Sequence, residues 1–455
     1  MRCVLACAVA AVIGLSAVPG IAQDKLSIWW VKGFYRSEDE ALYAAIRRYE
    51  QKTGTKVDLS QYAAKDMNAK SVAALDAGTV PDIAYSDTYD VQTAGKWAFD
   101  GKLEDLSDVL RPMKDRFETV ALSTANLYSD KARKKAYYAF PIKQQTIHVL
   151  YWKDMLGQAG FKENDIPDSW KEYWSFWCDK VQPGIPEASG QRVFGTGFPM
   201  GVESTDSFLS FLSWVDAYNV KLVDDSGNLL VDDPKVKAGL VAALTDYTQP
   251  YIKGCTPPSS TTWKDPDNNT AFHNKTTVMT HNYTISIAAK WLDDANNVSL
   301  AAEQRAAGRK AYDELIATSG FPRKPDGTPM TYRTSVKVGV IFEASRNKAK
   351  AKEFLAFLMQ EDNLRPYVEG ALGRWFPVTR ESQESPFWQA DKHRKAVYDQ
   401  FKAGTLPFEF TRNWKFTILN SENAWARAMN RVVHEKVPVD EAVDELIVRI
   451  KEVAG

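Results

Sequence analysis

Strand and helix patterns alternate from residue 25 onward, and this order restricts the fold more than any other feature of the sequence. The segment "KLSIWWV" has the composition of a strand. The next segment carries apolar residues at helical spacing, namely Leu42, Ala45, Ile46 and Tyr49. "KVDLSQY" and "PDIAYSD" are further strand candidates, with a second helix at about residues 66–76 between them. This β-α-β-α-β order predicts a doubly wound α/β lobe with a largely parallel sheet.

The ends of the first helix also carry local signals. Ser37 is the predicted N-cap, Glu40 is its capping-box partner three residues later, and Gly54 is the predicted stop. In the preceding strand, Trp29 and Trp30 must point to opposite faces. Because helices would cover both faces of such a sheet, we expect both tryptophans to be mainly core.

The first 22 residues have the pattern of a secretory signal peptide. Arg2 forms a short basic region before the apolar run, and Gly20 and Ala22 are small residues with the spacing of a cleavage site. The run is short for a membrane-spanning helix, and no stop-transfer pattern follows it. We therefore expect export and cleavage near Ala22, with an uncleaved anchor as the alternative.

The composition excludes several classes of function. Hydrophobic residues make up 44% of the chain and charged residues 25%, as in an ordinary globular protein. A formal net charge of −1 gives no indication of a general affinity for nucleic acid or anionic lipid. No later apolar run is long enough to cross a bilayer, so we expect a soluble protein of about two or three domains.

Two of the 4 cysteines, Cys178 and Cys255, lie outside the predicted signal peptide. An even pair in an exported protein suggests a disulfide bond. Sequence spacing does not show whether the two Cα atoms come close enough for a bridge. We expect a disulfide, with two separate buried thiols as the alternative.

Motifs for cofactor or metal chemistry do not occur in the sequence. There is no Gly-x-Ser-x-Gly elbow, no phosphate-binding loop and no His-x-x-x-His pair. Asp265, Asp267 and Asn269 begin like a calcium loop, but Thr270 and Thr276 stand where that loop needs glycine and glutamate. We therefore expect no cofactor and no metal site.

The rest of the chain continues the mixture of strands and helices. "FPIKQQTIHVLYW" is a long strand-rich segment with polar residues in its first half. In the helix that follows, Trp170, Trp174 and Trp177 recur at helical spacing, so we expect them to pack within their own lobe. "SVKVGVIF" is a later strand, and "VDEAVDELIVRIKEV" is an amphipathic C-terminal helix.

The order of these segments resembles the extracellular solute-binding proteins of ABC importers, in the maltose-binding-like class. The similarity covers nearly the whole chain after the signal peptide. It rests on "KLSIWW", "AGTVPDIAYSD", "GKLEDLSDVL", "YAFPIKQQTIHVLYWKDMLGQAGF", "AFHNKTTVMTHNYT", "GALGRWFPVTRE" and "AWARAMNRVVHEKVPVDEAVDELI". Each segment alone has little specificity, whereas their colinear order in an exported chain is specific.

The resemblance implies a type II periplasmic binding protein-like fold, in which two doubly wound α/β lobes are joined by a multi-crossing hinge. The N-terminal lobe would comprise residues 23–143 plus 318–372, and the C-terminal lobe residues 144–317 plus 373–455. It further implies a periplasmic monomer that captures ligand in the cleft by hinge closure. Such a protein would deliver its ligand to an ABC transporter permease at the inner membrane.

A sugar has hydroxyls around its edge and C–H groups on its faces, so its site combines aromatic rings with polar and charged side chains. In open α/β sheets, ligands lie beyond the carboxyl ends of the strands. Residues at those ends and at the expected crossings are the candidate ligand contacts: Lys32, Phe34, Tyr35, Ser86, Asp87, Tyr89, Lys143, Gln145, Glu203, Asn282, Tyr283, Arg374, Trp375 and Trp414. The resemblance implies that Asp87 and Glu203 are ligand acids. It places Asn282 and Tyr283 in a ligand loop, although the family's glycine is missing there.

From the mixture of acids, amides and aromatic residues we expect a neutral sugar or polyol as the ligand. A phosphate ester such as glycerol phosphate is the first alternative, because Lys32, Lys143 and Arg374 could form a basic cluster.

A secreted glycoside hydrolase is the second alternative, because Asp87, Glu203 and Asp206 could supply two carboxylates on either side of a glycosidic bond. The resemblance favours a binding protein over an enzyme.

Overall fold

A computed structural model of the chain describes residues 25–186 and 192–455, and the predicted signal peptide lies outside these residues. The strands are β1 (Leu26–Val31), β2 (Val57–Tyr62), β3 (Ile83–Ser86), β4 (Asn126–Ser129), β5 (Lys134–Tyr137), β6 (Phe140–Gln145) and β7 (His148–Trp152). They continue with β8 (Phe194–Gly197), β9 (Thr277–Asn282), β10 (Ile316–Ser319), β11 (Tyr332–Arg333), β12 (Ser335–Ile341), β13 (Phe376–Pro377) and β14 (Thr405–Leu406).

The helices of the first part of the chain are α1 (Arg36–Thr53), α2 (Ala64–Ala77), α3 (Tyr89–Gln92), α4 (Ala94–Phe99), α5 (Ser107–Leu110), α6 (Thr119–Ala125) and α7 (Lys153–Gln158). Those of the middle part are α8 (Trp170–Phe176), α9 (Gln182–Gly184), α10 (Thr205–Ala217), α11 (Pro234–Ile252), α12 (Asp267–His273), α13 (Ser286–Asn296) and α14 (Ala302–Lys310). Those of the last part are α15 (Lys348–Leu358), α16 (Glu361–Glu369), α17 (Arg380–Gln383), α18 (Lys392–Lys402), α19 (Phe416–Ser421), α20 (Ala424–Val433) and α21 (Val439–Ala454). Within the part of the chain that the structure describes, no helix is both long and apolar enough to cross a membrane.

The larger sheet has six strands in the order β13-β6-β12-β3-β1-β2. β1 pairs in parallel with both β2 and β3, which confirms the predicted β-α-β-α-β unit. Since β2 and β3 flank β1 on opposite sides, right-handed crossovers put α1 and α2 on opposite faces of the sheet. On the α1 face, Trp30 donates a hydrogen bond to Tyr367 of α16 at 2.9 Å. On the α2 face, Asn68 of α2 donates to Gln92 of α3 at 2.6 Å.

The smaller sheet has four strands in the order β10-β7-β9-β8. Trp170, Trp174 and Trp177 are buried in the core of this lobe, as the helical spacing predicts. Trp174 and Trp214 pack at 4.6 Å between ring centroids. Each sheet thus has its own hydrophobic core, which is the organisation expected of two lobes.

The chain passes between the two sheets at three places. β6 and β12 belong to the larger sheet, whereas β7 and β10, which lie between them in the sequence, belong to the smaller one. Sheet pairing continues for a few residues past the predicted lobe boundary at each crossing, since β6 stays in the larger sheet to Gln145, and the boundaries remain predictions. Ile316–Ser319 pairs in the smaller sheet, and Phe376–Pro377 still pairs in the larger one. The last crossing follows β13 because Phe376 and Pro377 are registered against Gln144 and Lys143 of β6.

The first helix does not begin as predicted. α1 starts at Arg36 with Tyr35 at the N-cap, and the Ser37 hydroxyl donates to the backbone oxygen of Gly370 instead of capping the helix. The predicted stop is confirmed, because Gly54 adopts the left-handed conformation with φ of 72°.

Only one of the two neighbouring tryptophans is fully buried. Trp30 is 0% exposed and stacks on Tyr85 with ring centroids 4.4 Å apart. Trp29 is only partly buried, and it packs edge-on against Tyr62 at 5.5 Å. Trp29 thus packs at the margin of the core of the larger lobe, whereas Trp30 lies inside it.

The two cysteines form the predicted disulfide. The Cα atoms of Cys178 and Cys255 are 5.3 Å apart, and the bond joins residues 77 positions apart in the sequence. Cys178 lies in the π-helical turn Trp177–Val181 after α8, and Cys255 follows α11. The backbone oxygen of Cys255 accepts a hydrogen bond from the Thr196 amide of β8 at 3.0 Å. The bridge therefore ties two helices to the edge of the smaller sheet.

Candidate functional site

Four charged side chains meet at the edge of the larger sheet where β1 and β3 end. Glu38 lies in the first turn of α1, Asp87 follows β3, Lys143 belongs to β6, and Arg374 precedes β13. Lys143 Nζ lies 3.4 Å from Glu38 Oε1 and 3.8 Å from Asp87 Oδ1. Arg374 Nη1 lies 3.9 Å from Glu38 Oε2, and its Nη2 lies 3.7 Å from Asp87 Oδ2. Two cations thus face two carboxylates, and we call these four residues the cleft cluster.

The lysine of the cleft cluster is enclosed by aromatic rings. Its side chain is 1% exposed, and Nζ lies 4.5 Å from the Trp375 ring centroid, 4.8 Å from that of Tyr367 and 5.4 Å from that of Tyr85. Nζ also donates to the Tyr367 hydroxyl at 3.2 Å. Burial lowers the pKa of Lys143, and the carboxylates of Glu38 and Asp87 only partly oppose this. The side chain is held rigidly and depends on those carboxylates for its charge.

The aspartate of the cleft cluster is held in its ionised form. Burial favours the neutral carboxyl of Asp87, but the charges of Lys143 and Arg374 outweigh it, so the pKa of Asp87 is lowered. The Tyr85 hydroxyl donates to Asp87 Oδ1 at 2.6 Å. The other carboxylate oxygen, Oδ2, is left facing the guanidinium of Arg374.

The arginine of the cleft cluster lies between two aromatic rings. Its Cζ atom is 4.5 Å from the ring centroid of Phe34 and 4.3 Å from that of Trp375. The carboxylate oxygens nearest to it, 3.7 and 3.9 Å away, are too distant for hydrogen bonds. Among the described residues, neither the buried Nε of Arg374 nor the buried Nε1 of Trp375 has a hydrogen-bond partner. The planar guanidinium is therefore held between the two rings, and its Nε is left without a partner among the described residues.

A second buried polar group adjoins the cleft cluster. Lys337 of β12 is registered opposite Lys143 of β6, so the two side chains lie on the same face of the sheet. Lys337 Nζ is 2.6 Å from Ser335 Oγ and 3.4 Å from Asp90 Oδ1. Burial raises the pKa of Asp90, although Lys337 and Ser335 oppose the rise. This group extends the polar surface toward α3.

The smaller lobe contributes the carboxyl group of Asp206, which interacts with the charges of Arg374 and Lys337. Asp206 lies in the first turn of α10, and its backbone amide donates to Asp265 at 3.3 Å. Burial and the neighbouring charge of Asp265 raise the pKa of Asp206 well above its ordinary value, while the charges of Arg374 and Lys337 oppose this. The carboxyl of Asp206 therefore lies within the influence of the charges of the larger lobe.

The two lobes touch on both sides of this polar surface. The Tyr35 hydroxyl donates to the backbone oxygen of Ser286 at 2.8 Å. On the other side, the side chains of Asn420 and Ser421 in α19 donate to backbone oxygens of α3 at 3.1 and 3.0 Å. The polar residues thus lie in a cleft between the lobes.

A family model described as "Bacterial extracellular solute-binding protein" matches residues 44–396, which is well over half of the chain. The chain belongs to this family. Members of the family are binding proteins that act outside the cytoplasm, and the cleft between the two lobes is the part of this solute-binding protein that can enclose a ligand.

Solved structures share its fold. An ABC transporter solute-binding protein from Thermotoga lettingae bound with α-D-tagatose has a TM-score of 0.74 and 19% identity, and the match covers 95% of this chain and 100% of that one. Maltose-bound MalE3 from T. maritima has a TM-score of 0.71 and 17% identity, and the match covers 94% of this chain and 99% of that one. The ABC transporter solute-binding protein from Agrobacterium radiobacter K84 in complex with ribitol has a TM-score of 0.69 and 16% identity, and the match covers 94% of this chain and 98% of that one. At these identities the likeness establishes the fold, and it confirms the predicted pair of α/β lobes.

Curated relatives match this chain over a smaller share of its length. A binding protein of Brucella abortus strain 2308 is 22% identical over 315 residues, which are 69% of this chain and 66% of the relative. A binding protein of Brucella suis biovar 1 matches to the same extent. The solute-binding protein thus spans slightly less than two thirds of the length of these relatives.

Six of the residues predicted from the sequence come together in the cleft. They surround the guanidinium of Arg374 and the ammonium of Lys143, and they are Phe34, Tyr35, Asp87, Lys143, Arg374 and Trp375. Phe34 is 45% exposed, so its ring is open to a ligand on the face that Arg374 does not cover. Their contact with ligand remains a prediction.

The other candidates in the larger lobe have contacts outside the cleft cluster. Lys32 is exposed, and its backbone amide donates to Tyr62 as part of the sheet. The Ser86 hydroxyl is shared with Thr88, and Tyr89 is buried against Trp97 at 4.9 Å on the α2 face. Gln145 lies at the first crossing, where its backbone oxygen accepts from the Thr334 hydroxyl.

In the smaller lobe, the predicted residues mostly have partners of their own. Glu203 is 70% exposed and pairs with Lys264 at 2.7 Å. Asn282 donates to Thr284 and Ser286 within its own loop.

Two aromatic candidates of the smaller lobe are also engaged elsewhere. The Tyr283 ring is buried and lies 6.3 Å from that of Phe408. Trp414 packs on Phe99 of the larger lobe at 4.5 Å, away from the guanidinium.

Sequence reasoning did not single out Glu38 or Lys337, and it gave Asp206 only a secondary place. Glu38 was hidden in the polar first turn of a helix, where acidic residues are common. Lys337 interrupts the apolar strand "SVKVGVIF" in the same way that Lys143 interrupts its own strand. A buried lysine in an apolar strand was therefore a usable signal at both positions.

Proposed function

We propose that this protein is a periplasmic, monomeric receptor that closes its lobes around a neutral sugar or polyol and delivers it to the permease of an ABC transporter. The observation that carries the proposal is the guanidinium of Arg374, which is stacked between two rings and whose Nε has no hydrogen-bond partner among the described residues. It lies beside ionised Asp87, which can accept hydrogen bonds from hydroxyls. Adjacent donors and acceptors between aromatic rings suit the hydroxyl-rich edge and apolar face of a sugar.

The charges of the cleft favour a neutral ligand over a phosphate ester. Lys143 and Arg374 are each within 4 Å of Glu38 and Asp87, so the cleft cluster has no formal net charge. Lys32, the third residue of the proposed basic cluster, is exposed and has its backbone in the sheet. A dianionic phosphate would have to compete with two carboxylates that are already in place.

The geometry supports binding rather than glycoside hydrolysis. A hydrolase of this type needs two carboxyl groups on opposite sides of one glycosidic bond. Asp87 is buried beside two cations, whereas Glu203 is largely exposed and paired with Lys264. Asp87 and Glu203 are therefore committed to separate partners, and the test for conversion of an oligosaccharide below addresses the remaining pair, Asp87 with Asp206.

Family membership supports the role in transport. Solved proteins with this fold include solute-binding proteins bound with α-D-tagatose, maltose and ribitol, and two of them are described as ABC transporter proteins. Their ligands are neutral sugars or polyols, which agrees with the balanced charge of the cleft.

A thermal-shift screen of the mature chain tests the ligand class directly. Sugars, polyols and phosphate esters would each be added at millimolar concentration, since ligand that binds only the folded state raises its apparent stability. We expect shifts with neutral sugars or polyols. A shift with phosphorylated compounds alone would contradict the proposal, and conversion of an oligosaccharide to products would identify an enzyme.

The variant Arg374→Met tests the site. Loss of hydrogen bonds from a charged donor costs about 1.5–3 kcal/mol, so we expect affinity for the best ligand of the screen to fall about 10- to 100-fold by calorimetry. Arg380→Met is the matched control, because Arg380 is 55% exposed and pairs with Glu118 on the surface. Equal affinities of the two variants would place the ligand elsewhere.

A further inference from the structure

Two contacts between the lobes lie on opposite faces of the larger sheet. The first, which we call the front wall, joins Tyr35 at the start of α1 to Ser286 at the start of α13 through a hydrogen bond of 2.8 Å. The neighbouring Ile285 belongs to the smaller lobe in sequence, yet its side chain is buried in the hydrophobic core of the larger lobe. The front wall is therefore a packed contact and not an isolated hydrogen bond.

The second contact, which we call the rear wall, joins α19 to α3 and α4 on the α2 face. Asn420 donates to the Val91 oxygen at 3.1 Å, and Ser421 donates to the Gln92 oxygen at 3.0 Å. Val91 belongs to the larger lobe in sequence, yet its side chain is buried in the core of the smaller lobe. Each wall thus inserts one apolar side chain into the opposite lobe.

Aromatic packing closes the rear wall further. The rings of Trp414 and Phe99 lie 4.5 Å apart. Gly95 permits this approach, because a Cβ atom at that position would lie 3.0 Å from the Cβ of Trp414. Close backbone approach leaves no groove between α4 and the segment before α19.

The ligand-facing residues lie between these two walls. Arg374 stacks on Phe34, the residue next to Tyr35 of the front wall, and it also approaches Asp87, which leads into α3 of the rear wall. The crossing strands β6, β12 and β13 occupy a third side of the cleft.

From this enclosure we infer that the cleft takes a single sugar ring or an open-chain polyol of similar length, and that it excludes chains of three or more sugar units. A longer chain would have to leave the cleft through the front or rear wall and would keep those contacts from forming. The inference rests on the proposed function, because it names the size class of that same ligand.

Calorimetric titration of the mature chain with ligands of increasing length tests the size limit. The probes are ribitol and sorbitol, then xylose, xylobiose and xylotriose, and glucose, maltose and maltotriose. We expect binding among the polyols and single sugars, and affinity at least 10-fold lower for the trisaccharide than for its monomer. A trisaccharide that binds as tightly as its monomer would overturn the size limit while upholding the proposed function. Failure of every sugar and polyol would overturn the proposed function and the size limit with it.

A variant of the rear wall tests whether this wall sets the limit on ligand size. Phe99→Ala together with Ser421→Ala removes the ring against Trp414 and one hydrogen bond, without changing the cleft cluster. We expect the ratio of trisaccharide to monomer dissociation constants to fall at least 5-fold, because the lost wall contacts weaken closure around both ligands while only the trisaccharide gains room. Phe357→Ala is the control, because Phe357 is a partly buried ring beside Tyr49, on the α1 face of the same lobe. An unchanged ratio in the double variant would overturn the assignment of the limit to the rear wall.

Discussion

Replacing Lys143 by methionine tests whether the cleft cluster is held together by its charges. Methionine has a similar length and keeps the apolar contacts with Trp375 and Tyr367, whose ring centroids lie 4.5 and 4.8 Å from Nζ. It removes the cation 3.4 Å from Glu38, whose side chain is 0% exposed. Removing one partner of a buried ion pair costs about 3–5 kcal/mol. We expect about 3 kcal/mol for Lys143→Met, because Arg374 remains beside both carboxylates.

Urea unfolding of the unliganded protein, followed by circular dichroism and tryptophan fluorescence, measures this loss. Lys395→Met is the matched control, since Lys395 forms a surface pair with Asp399 in which both side chains are more than half exposed. Such a pair contributes about 0.3–0.5 kcal/mol. If Lys143→Met unfolded at the same urea concentration as Lys395→Met, the buried network would not be held by charge and the reasoning would fail.

Two further predictions concern the smaller lobe. Burial and Asp265 raise the pKa of Asp206 in the folded state. Above pH 3.8, the ordinary pKa of this carboxyl, the folded state therefore binds more protons than the unfolded state does. As a result, the ionisation of this carboxyl lowers the stability of the protein as the pH rises. The variant Asp206→Asn removes that loss of stability, so the difference between its urea midpoint and that of the wild type should grow from about pH 4 to about pH 7. A difference that stays constant over this range would contradict the raised pKa of Asp206. Replacing Cys178 and Cys255 by serine removes a cross-link between residues 77 positions apart. The chain-entropy relation for a loop of this length gives a loss of about 4.5 kcal/mol in the free energy of unfolding, to be measured against the wild type with and without reductant. Equal midpoints of the oxidised wild type and the double variant would refute that estimate.

Local patterns were sufficient for the elements of the larger sheet. The strands around Trp30 and Tyr85 and the stop at Gly54 follow from alternation, from turn residues and from glycine's access to positive φ. The helix start failed, because Ser37 found a partner in Gly370, which is 333 positions away in the sequence. A capping signal predicts a helix start only when no tertiary acceptor competes for the hydroxyl.

Three of the four residues of the cleft cluster were accessible from the sequence. Lys143 stood out as a charge in an apolar strand, and Asp87 and Arg374 stood out by their place in segments that resemble the family. Glu38 could not be found in this way, because its partner Lys143 is 105 positions distant and its own helix turn is ordinary. Pairing over such distances is set by how the strands assemble, which no local pattern reports.

The choice between Glu203 and Asp206 shows the same limit. Both acids lie within four residues at the start of α10, so composition does not distinguish them. The structure leaves Glu203 exposed with Lys264 and turns Asp206 toward the charges of Arg374 and Lys337. Which acid faces the cleft depends on where the helix begins, and helix boundaries are difficult to predict to a single residue.

A crystal structure of the mature protein with the tightest-binding sugar or polyol of the screen tests the central claim most directly. The proposed site predicts ligand hydroxyls within about 3.2 Å of the Arg374 guanidinium nitrogens and of Asp87 Oδ2, with the ligand beside Phe34. Both walls should be closed around it. A ligand bound without contact to Arg374 or Asp87 would contradict the proposed site.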